Sequence, residues 1–270
     1  MTTLKAIRQA VGQELNECLV GTVTDATTTT LTDTANLLDS SDDAARLAGA
    51  WVYIASGAQA GTTRRVLEFA PSTGTLTVDS WTAPAAGSEY ELHQRLRPAD
   101  LNRLINQALV ALRYHTEQRV DVVAGQRQYS LADYAWLTEP RQVYAVCVEM
   151  GGEGARQYPD IPFEVTAGDE GLTLHVPPSA TRSGEHLLLR CSRPYEALAE
   201  DADVTACPLD WVRTATVYRV YEWLCRHGPA QDTERYARDR AREGAKLAAL
   251  NRRYYTLPAR RQHSPYSLGV

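Results

Sequence analysis

The chain is 270 residues long with a formal net charge of −5, and 44% of its residues are hydrophobic against 23% charged. That balance provides apolar residues for one large core or two small ones and excludes a wholly disordered chain. Lys5 and Arg8 stand where a signal peptide needs its apolar core, and no run reaches the roughly 18 apolar residues of a membrane helix, so a soluble protein made in the cytoplasm is expected.

Leu4, Ile7, Val11 and Leu15 recur at steps of three and four and predict an amphipathic helix from Thr3 to Glu17, capped by Thr2 or Thr3. Helices below about 12 to 15 residues need a packing partner, so this one, occupying residues 1–17, is expected to lean on the rest of the chain. From Cys18 the texture turns to Thr, Gly and β-branched residues. Strands are expected at Leu19–Val23, Trp51–Ile54, Arg65–Phe69, Thr75–Val78 and Glu89–Leu92, with turns at Gly57, Gly61, Gly74 and Gly87. Their spacing predicts a small antiparallel barrel or sandwich inserted over residues 18–95. Trp51 and Tyr53 are assigned to opposite faces of their strand. The acidic run Asp39-Ser-Ser-Asp-Asp43 lacks the glycine and closing glutamate of a calcium loop and reads as a solvated turn. The runs Leu47-Ala-Gly-Ala-Trp-Val-Tyr-Ile-Ala-Ser-Gly57, Ala60-Gly-Thr-Thr-Arg-Arg-Val-Leu-Glu-Phe69 and Ser72-Thr-Gly-Thr-Leu-Thr-Val-Asp79 resemble a β module of tailed-bacteriophage structural proteins. That likeness implies a binding or spacer role.

Pro98 to His115 carries Leu101, Leu104, Ile105, Ala108, Leu109 and Leu112 on one helical stripe, with Pro98 in the first turn and Asp100 where the helix dipole favours negative charge. This helix, within residues 96–119, is expected to be the hub of the fold. A second β segment spans 120–205, with strands at Val120–Leu131, Arg141–Val148, Phe163–Val165, Leu172–Val176 and His186–Cys191. Residues 206–254 return to helix. Pro208-Leu-Asp210 repeats the punctuation of Pro98-Ala-Asp100 and opens a helix with Leu209, Val212, Thr216, Val220, Trp223 and Leu224 on its buried face, ended by Gly228-Pro229. A more polar helix from Asp232 to Tyr255 carries a thin stripe of Tyr236, Ala237, Ala241, Ala245 and Ala248, material for close contact between subunits. Residues 255–270 hold two prolines and no periodicity and are expected to be extended. Between Asp232 and Arg261 nine basic residues face four acidic ones, a balance of +5 that leaves −10 on the remainder, which suits a basic end docking on an acidic surface. The expected fold class is α+β: a helical-bundle frame of N-terminal, central and C-terminal helices carrying two antiparallel β segments.

The Pro98 helix, the pair Val120-Asp-Val-Val-Ala-Gly125 and Tyr129-Ser-Leu131, and the valine-rich strand after Arg141 together resemble, over residues 96 to 254, the head-to-tail adaptor proteins of tailed phages, including the tail tubular A type. This chain has Leu131-Ala132 where that family often has Leu-Pro. The resemblance implies a virion protein of the phage neck, assembled in the host cytoplasm as a homo-oligomeric ring of about twelve copies closed by heterologous contacts. Its implied partners are the portal protein, a tail or stopper/nozzle protein, and genomic DNA that passes through the lumen without sequence-specific binding; no membrane is involved. The portal-binding segment would be Arg252, Arg253, Tyr254, Tyr255, Leu257, Arg260, Arg261 and Tyr266, and the surface binding the next tail protein would hold Trp51, Tyr53, Arg64 and Arg65. The alternative is a tail-tip or fibre-associated protein that contacts a host-surface ligand through residues 18–95.

Reactive chemistry has no foothold in the motifs. A phosphate loop, a nucleophile elbow and a zinc-protease helix are missing, and Gly151-Gly-Glu-Gly154 lacks the third glycine of a dinucleotide site. His175 and His186 flank a hairpin through Pro177-Pro178 and Gly184 and are expected to face each other, with no third ligand to complete a metal set. Cys147 has no identifiable base. Cys18, Cys147, Cys191, Cys207 and Cys225 are odd in number and form no Cys-x-x-Cys pair, so they read as small buried hydrophobes. No catalytic residue, metal or cofactor is expected, and an enzyme ranks last.

Overall fold

The computed structural model describes residues 1–38, 47–149, 159–177 and 186–255. The N-terminal elements are β1 (Thr2–Thr3), α1 (Leu4–Glu14), β2 (Cys18–Thr22), β3 (Asp25–Ala26), β4 (Thr30–Thr32), β5 (Trp51–Ile54), β6 (Thr63–Ala70), β7 (Thr75–Val78), β8 (Glu89–His93) and α2 (Pro98–Ala111). There follow β9 (Arg113–Asp121), β10 (Gln128–Ser130), β11 (Val143–Glu149), β12 (Glu164–Gly168), β13 (Gly171–His175), β14 (His186–Pro194), β15 (Val204–Thr205), α3 (Leu209–His227) and α4 (Thr233–Tyr254). They fall into two compact units, Met1–Ala111 with Glu196–Ala249, and Leu112–Tyr195 with Leu250–Val270.

The first unit is built on seven antiparallel strands in the order β2-β8-β5-β6-β7-β4-β3. Its two outermost strands are separated in the chain by Val23 and Thr24, so the sheet curls back towards its own beginning. Strand β6 serves both halves: Thr63 to Arg65 pair with β5 and Val66 to Ala70 with β7, and the ladder shifts between Val66 and Glu68, where a bulge bends the strand. Leu31, Val52, Ile54, Val66, Leu76, Tyr90 and Leu92 fill the concave side. The buried Tyr90 hydroxyl donates to Asp33 Oδ2 at 2.8 Å, and the other carboxylate oxygen accepts the N–H groups of Ala35 and Asn36, capping the turn after β4. Burial alone would raise the Asp33 carboxyl; hydrogen bonds from Asn36, Tyr90 and Ala35 outweigh it and hold it below the ordinary range. Gly21 makes this possible, because a Cβ there would lie 2.4 Å from both Asp33 Oδ2 and Tyr90 Oη.

Helix α1 starts where Thr3 accepts the Ala6 N–H in its side chain, and it stops at Glu14 instead of running to Glu17, with Asn16 in the left-handed region at φ 52. Its Leu4, Ile7 and Val11 are buried among α2 and α3. Helix α2 buries Leu101, Leu104, Ile105, Ala108 and Leu109, as its spacing predicts. Helix α3 is buried over most of its girth, through Trp211, Val212, Ala215, Val217, Val220 and Leu224, whereas Leu209 is exposed and Trp223 half-buried. Helix α4 buries only Tyr236 and Glu243.

A helical bundle is therefore not the frame of this protein. The described residues are mostly β, with the seven-stranded sheet and two three-stranded sheets against four α-helices. The apolar stripes on α1, α2 and α3 pack together, but α1 also turns a polar edge onto the outer face of the sheet, so the helices are set on a β scaffold instead of carrying it.

The second unit contains the sheets β11-β14-β9 and β10-β13-β12, enclosing Tyr129, Leu131, Val143, Val146, Leu172, Leu174, Leu187 and Leu189. The central helix was expected to reach His115; it ends at Ala111, and Arg113 to Asp121 pair residue by residue with Pro194 back to His186. The helical stripe gives out at Leu112, and the β-favouring Tyr114, Thr116 and Val120 that follow alternate with the exposed His115, Glu117, Arg119 and Asp121. His175 and His186 lie in different sheets, His175 beside Thr166 Oγ1 at 2.9 Å and His186 beside Asp121 at 2.8 Å, so they do not form the expected facing pair. The acidic run at Asp39, the glycines from Gly151 to Gly154, and Pro178 and Gly184 lie outside the described residues.

Candidate functional site

Among the described residues of the first unit, a dense polar cluster is centred on Arg8. One turn of α1 places Arg8 between Ile7 and Val11, inside the apolar stripe, and its side chain is fully buried. All five of its N–H groups are used: Nε and Nη2 on Glu91 at 2.7 and 3.0 Å, Nη1 and Nη2 on Asp201 at 2.6 and 2.8 Å, and Nη1 also on Asn102 Oδ1 at 3.2 Å. The guanidinium lies 4.3 Å from the Tyr53 ring centre, and the Tyr53 hydroxyl donates to Asp201 Oδ2 at 2.8 Å. Glu91 accepts further from Gln9 at 3.1 Å and sits 2.9 Å from His93 Nε2. Burial pushes the Glu91 carboxyl up, but His93 and Arg8 outweigh it and hold it at about 2. One side chain thus ties α1 to β8, α2, β5 and the segment before β15.

This cluster has the chemistry of a fastener: complementary charges, fully paired, with the tyrosine pushed up to about 12 by burial and by Asp201. Two buried thiols elsewhere are equally unreactive in character. Cys147 donates to Asp160 Oδ1 at 3.1 Å and is pushed up to about 12 by burial and that bond, and burial does the same to Cys191.

The four residues expected to bind the next tail protein divide. Trp51 and Tyr53, two apart on β5, share one face, because side chains alternate along a strand; the core takes Val52 and Ile54, and the expectation of opposite faces is corrected. Tyr53 is absorbed into the Arg8 cluster. Trp51 is half-buried with the exposed Arg97 and Arg65 guanidinium groups 4.3 and 5.9 Å from its ring centre, a stacked Arg–Trp–Arg surface. Arg64 is turned to the backbone, donating to the carbonyls of Ser80 and Thr63 at 3.0 and 2.8 Å.

Of the expected portal-binding residues, Arg252 and Arg253 are exposed at the end of α4, and the Arg253 guanidinium lies 5.2 Å from the Tyr254 ring centre. The half-buried Tyr255 packs within its own unit: its ring stacks on His115 at 4.9 Å and its hydroxyl donates to Ser192 Oγ at 2.6 Å. Leu257, Arg260, Arg261 and Tyr266 lie outside the described residues.

Sequence reasoning missed the Arg8 cluster, although a signal was present. Arg8 falls at the i+4 position of a stripe starting at Leu4, where an apolar residue is the rule, and a buried arginine requires carboxylate partners. The partners are 83 and 193 residues away and were not legible. No protein-family model matches the chain, and a comparison with curated proteins finds no match.

Proposed function

We propose that this chain is a ring-forming structural adaptor of a tailed-phage neck, joining the portal to the tail. The observation that carries the reading is helix α4: 22 residues long, it buries only Tyr236 and Glu243 and leaves Ala241, Ala245 and Ala248 exposed one turn apart. An isolated helix of that length with so little covered surface gains little from folding alone, and small residues at steps of four and three allow a neighbouring backbone to approach closely. Val110 on α2 is also half exposed, adding apolar surface to the same unit. Arg252 and Arg253 lie at the end of this helix and supply planar donors for an acidic partner. The Arg65–Trp51–Arg97 stack is the surface for the next tail protein.

Native mass spectrometry of the chain, alone and with portal protein, tests the reading. A closed assembly whose copy number matches the portal is expected, and Ala245→Glu should leave the chain folded and abolish the ring. A trimer would favour the fibre-associated alternative, and a monomer that does not respond to portal would overturn both. Removing residues 256–270 should leave a folded protein that no longer joins the portal; unchanged joining would rule out that segment's role.

A further inference from the structure

Independently of the adaptor reading, we infer that Cys18, Glu91 and His93 form a binding site for a thiophilic divalent cation of the Zn2+ class on the outer face of the β2–β8 pair. Glu91 and His93 are two apart on β8 and share that face, and Cys18 is the direct cross-strand partner of His93. Cys18 Sγ lies 3.8 Å from His93 Nε2, His93 Nε2 lies 2.9 Å from Glu91 Oε2, and the three candidate ligand atoms are all within 4.8 Å of one another. Zinc bonds of about 2.0 to 2.3 Å in a tetrahedron set neighbouring ligand atoms roughly 3.3 to 3.7 Å apart, so the two separations to His93 need shifts of a few tenths of an ångström and the Cys18–Glu91 separation closes by about 1 Å at most. One sulfur, one imidazole nitrogen and one carboxylate oxygen make a borderline-soft set, the kind that selects zinc over magnesium or calcium.

Three surroundings favour binding over mere proximity. The first is charge: Arg8 supplies one positive charge against the two carboxylates of Glu91 and Asp201, so once a cation displaces the Cys18 proton the cluster carries a net −2 that a dication balances. The second is orientation. Glu91 is held by Arg8 and Gln9, as ligating carboxylates are held by outer donors, and Cys18 is pressed against α1, where a Cβ on Gly12 would come within 2.3 Å of the Cys18 Cβ. The third is His93 itself: it is fully buried, its Nδ1 has no hydrogen-bond partner, and Nε2 alone anchors the ring, turned towards the other two ligands. Cys18 is only half-buried, which gives an ion a route in and leaves a fourth position for water.

Cobalt spectroscopy on the tag-free, reduced, metal-stripped full chain tests this. The unaltered protein should take up one Co2+ with thiolate-to-cobalt absorption, and one equivalent of Zn2+ should displace it. Cys18→Ser should lose the absorption and weaken Zn2+ binding by at least about tenfold, given that outer-shell partners alone are worth 10- to 100-fold. Cys225→Ser, which alters the other half-buried thiol, should keep both. Absence of the thiolate band in the unaltered protein, or its survival in Cys18→Ser, would overturn the site.

Discussion

Replacing Arg8 with methionine tests the Arg8 cluster most directly. The substitution keeps much of the side-chain volume and removes a guanidinium that is 0% exposed and bonded to two carboxylates. Breaking a buried ion pair by deleting one partner costs about 3 to 5 kcal/mol, because the remaining charge is left in a site that cannot hydrate it. The pH linkage gives a similar magnitude. Glu91 is held at about 2 against an ordinary value of 4.5, a difference worth about 3 kcal/mol at 1.36 kcal/mol per pKa unit. Because the folded value is depressed, that stability is fully present above about pH 4.5 and is lost as the pH falls towards 2. Arg8→Met should therefore cost most at pH 7 and least near pH 3, where the orphaned carboxyls can take protons. Urea unfolding followed by tryptophan emission is the assay, since Trp51, Trp81, Trp211 and Trp223 lie in the first unit and Trp136 alone in the second. A loss below about 1 kcal/mol at pH 7, or a loss that grows on acidification, would refute the reasoning.

Other consequences follow from the same packing. Tyr90→Phe removes a buried hydrogen bond to the Asp33 carboxylate and should cost about 1.5 to 3 kcal/mol in the same unfolding assay. Gly21→Ala should destabilise by more than that, since its Cβ would overlap Asp33 and Tyr90, and a soluble variant with unchanged stability would show that the turn after β4 relaxes. Mass-spectrometric mapping of iodoacetamide labelling on the native protein at pH 8 should find Cys225 modified first. Cys147 and Cys191 are buried with thiols pushed up to about 12, and should label only on unfolding; early labelling of either would contradict their burial.

Much of the secondary structure was legible in the residues alone. The steps from Leu101 to Leu109 placed α2, and the β-branched and aromatic run Trp51-Val-Tyr-Ile54 ahead of the Gly57 turn placed β5, because helical periodicity and strand preference are local consequences of backbone geometry. The end of α2 was not legible: Leu112 continues the helical stripe in one dimension, and only the pairing of Arg113–Asp121 with β14 turns the next residues into strand. The alanine stripe on α4 was read correctly as thin, while its exposure required the packed chain to be seen.

By itself, then, the sequence determined where the main helices and strands begin and which helix stripes are apolar, since these depend on neighbours a few positions away. The tertiary structure alone decided what covers those faces. It made a β scaffold the frame where a helical bundle was expected, gave Tyr53 and Tyr255 hydrogen-bond partners within their own units, and brought Arg8 to Glu91 and Asp201 across 83 and 193 residues. A buried charge is stable only beside its counter-charge, and nothing in the local sequence says where the folded chain will put one.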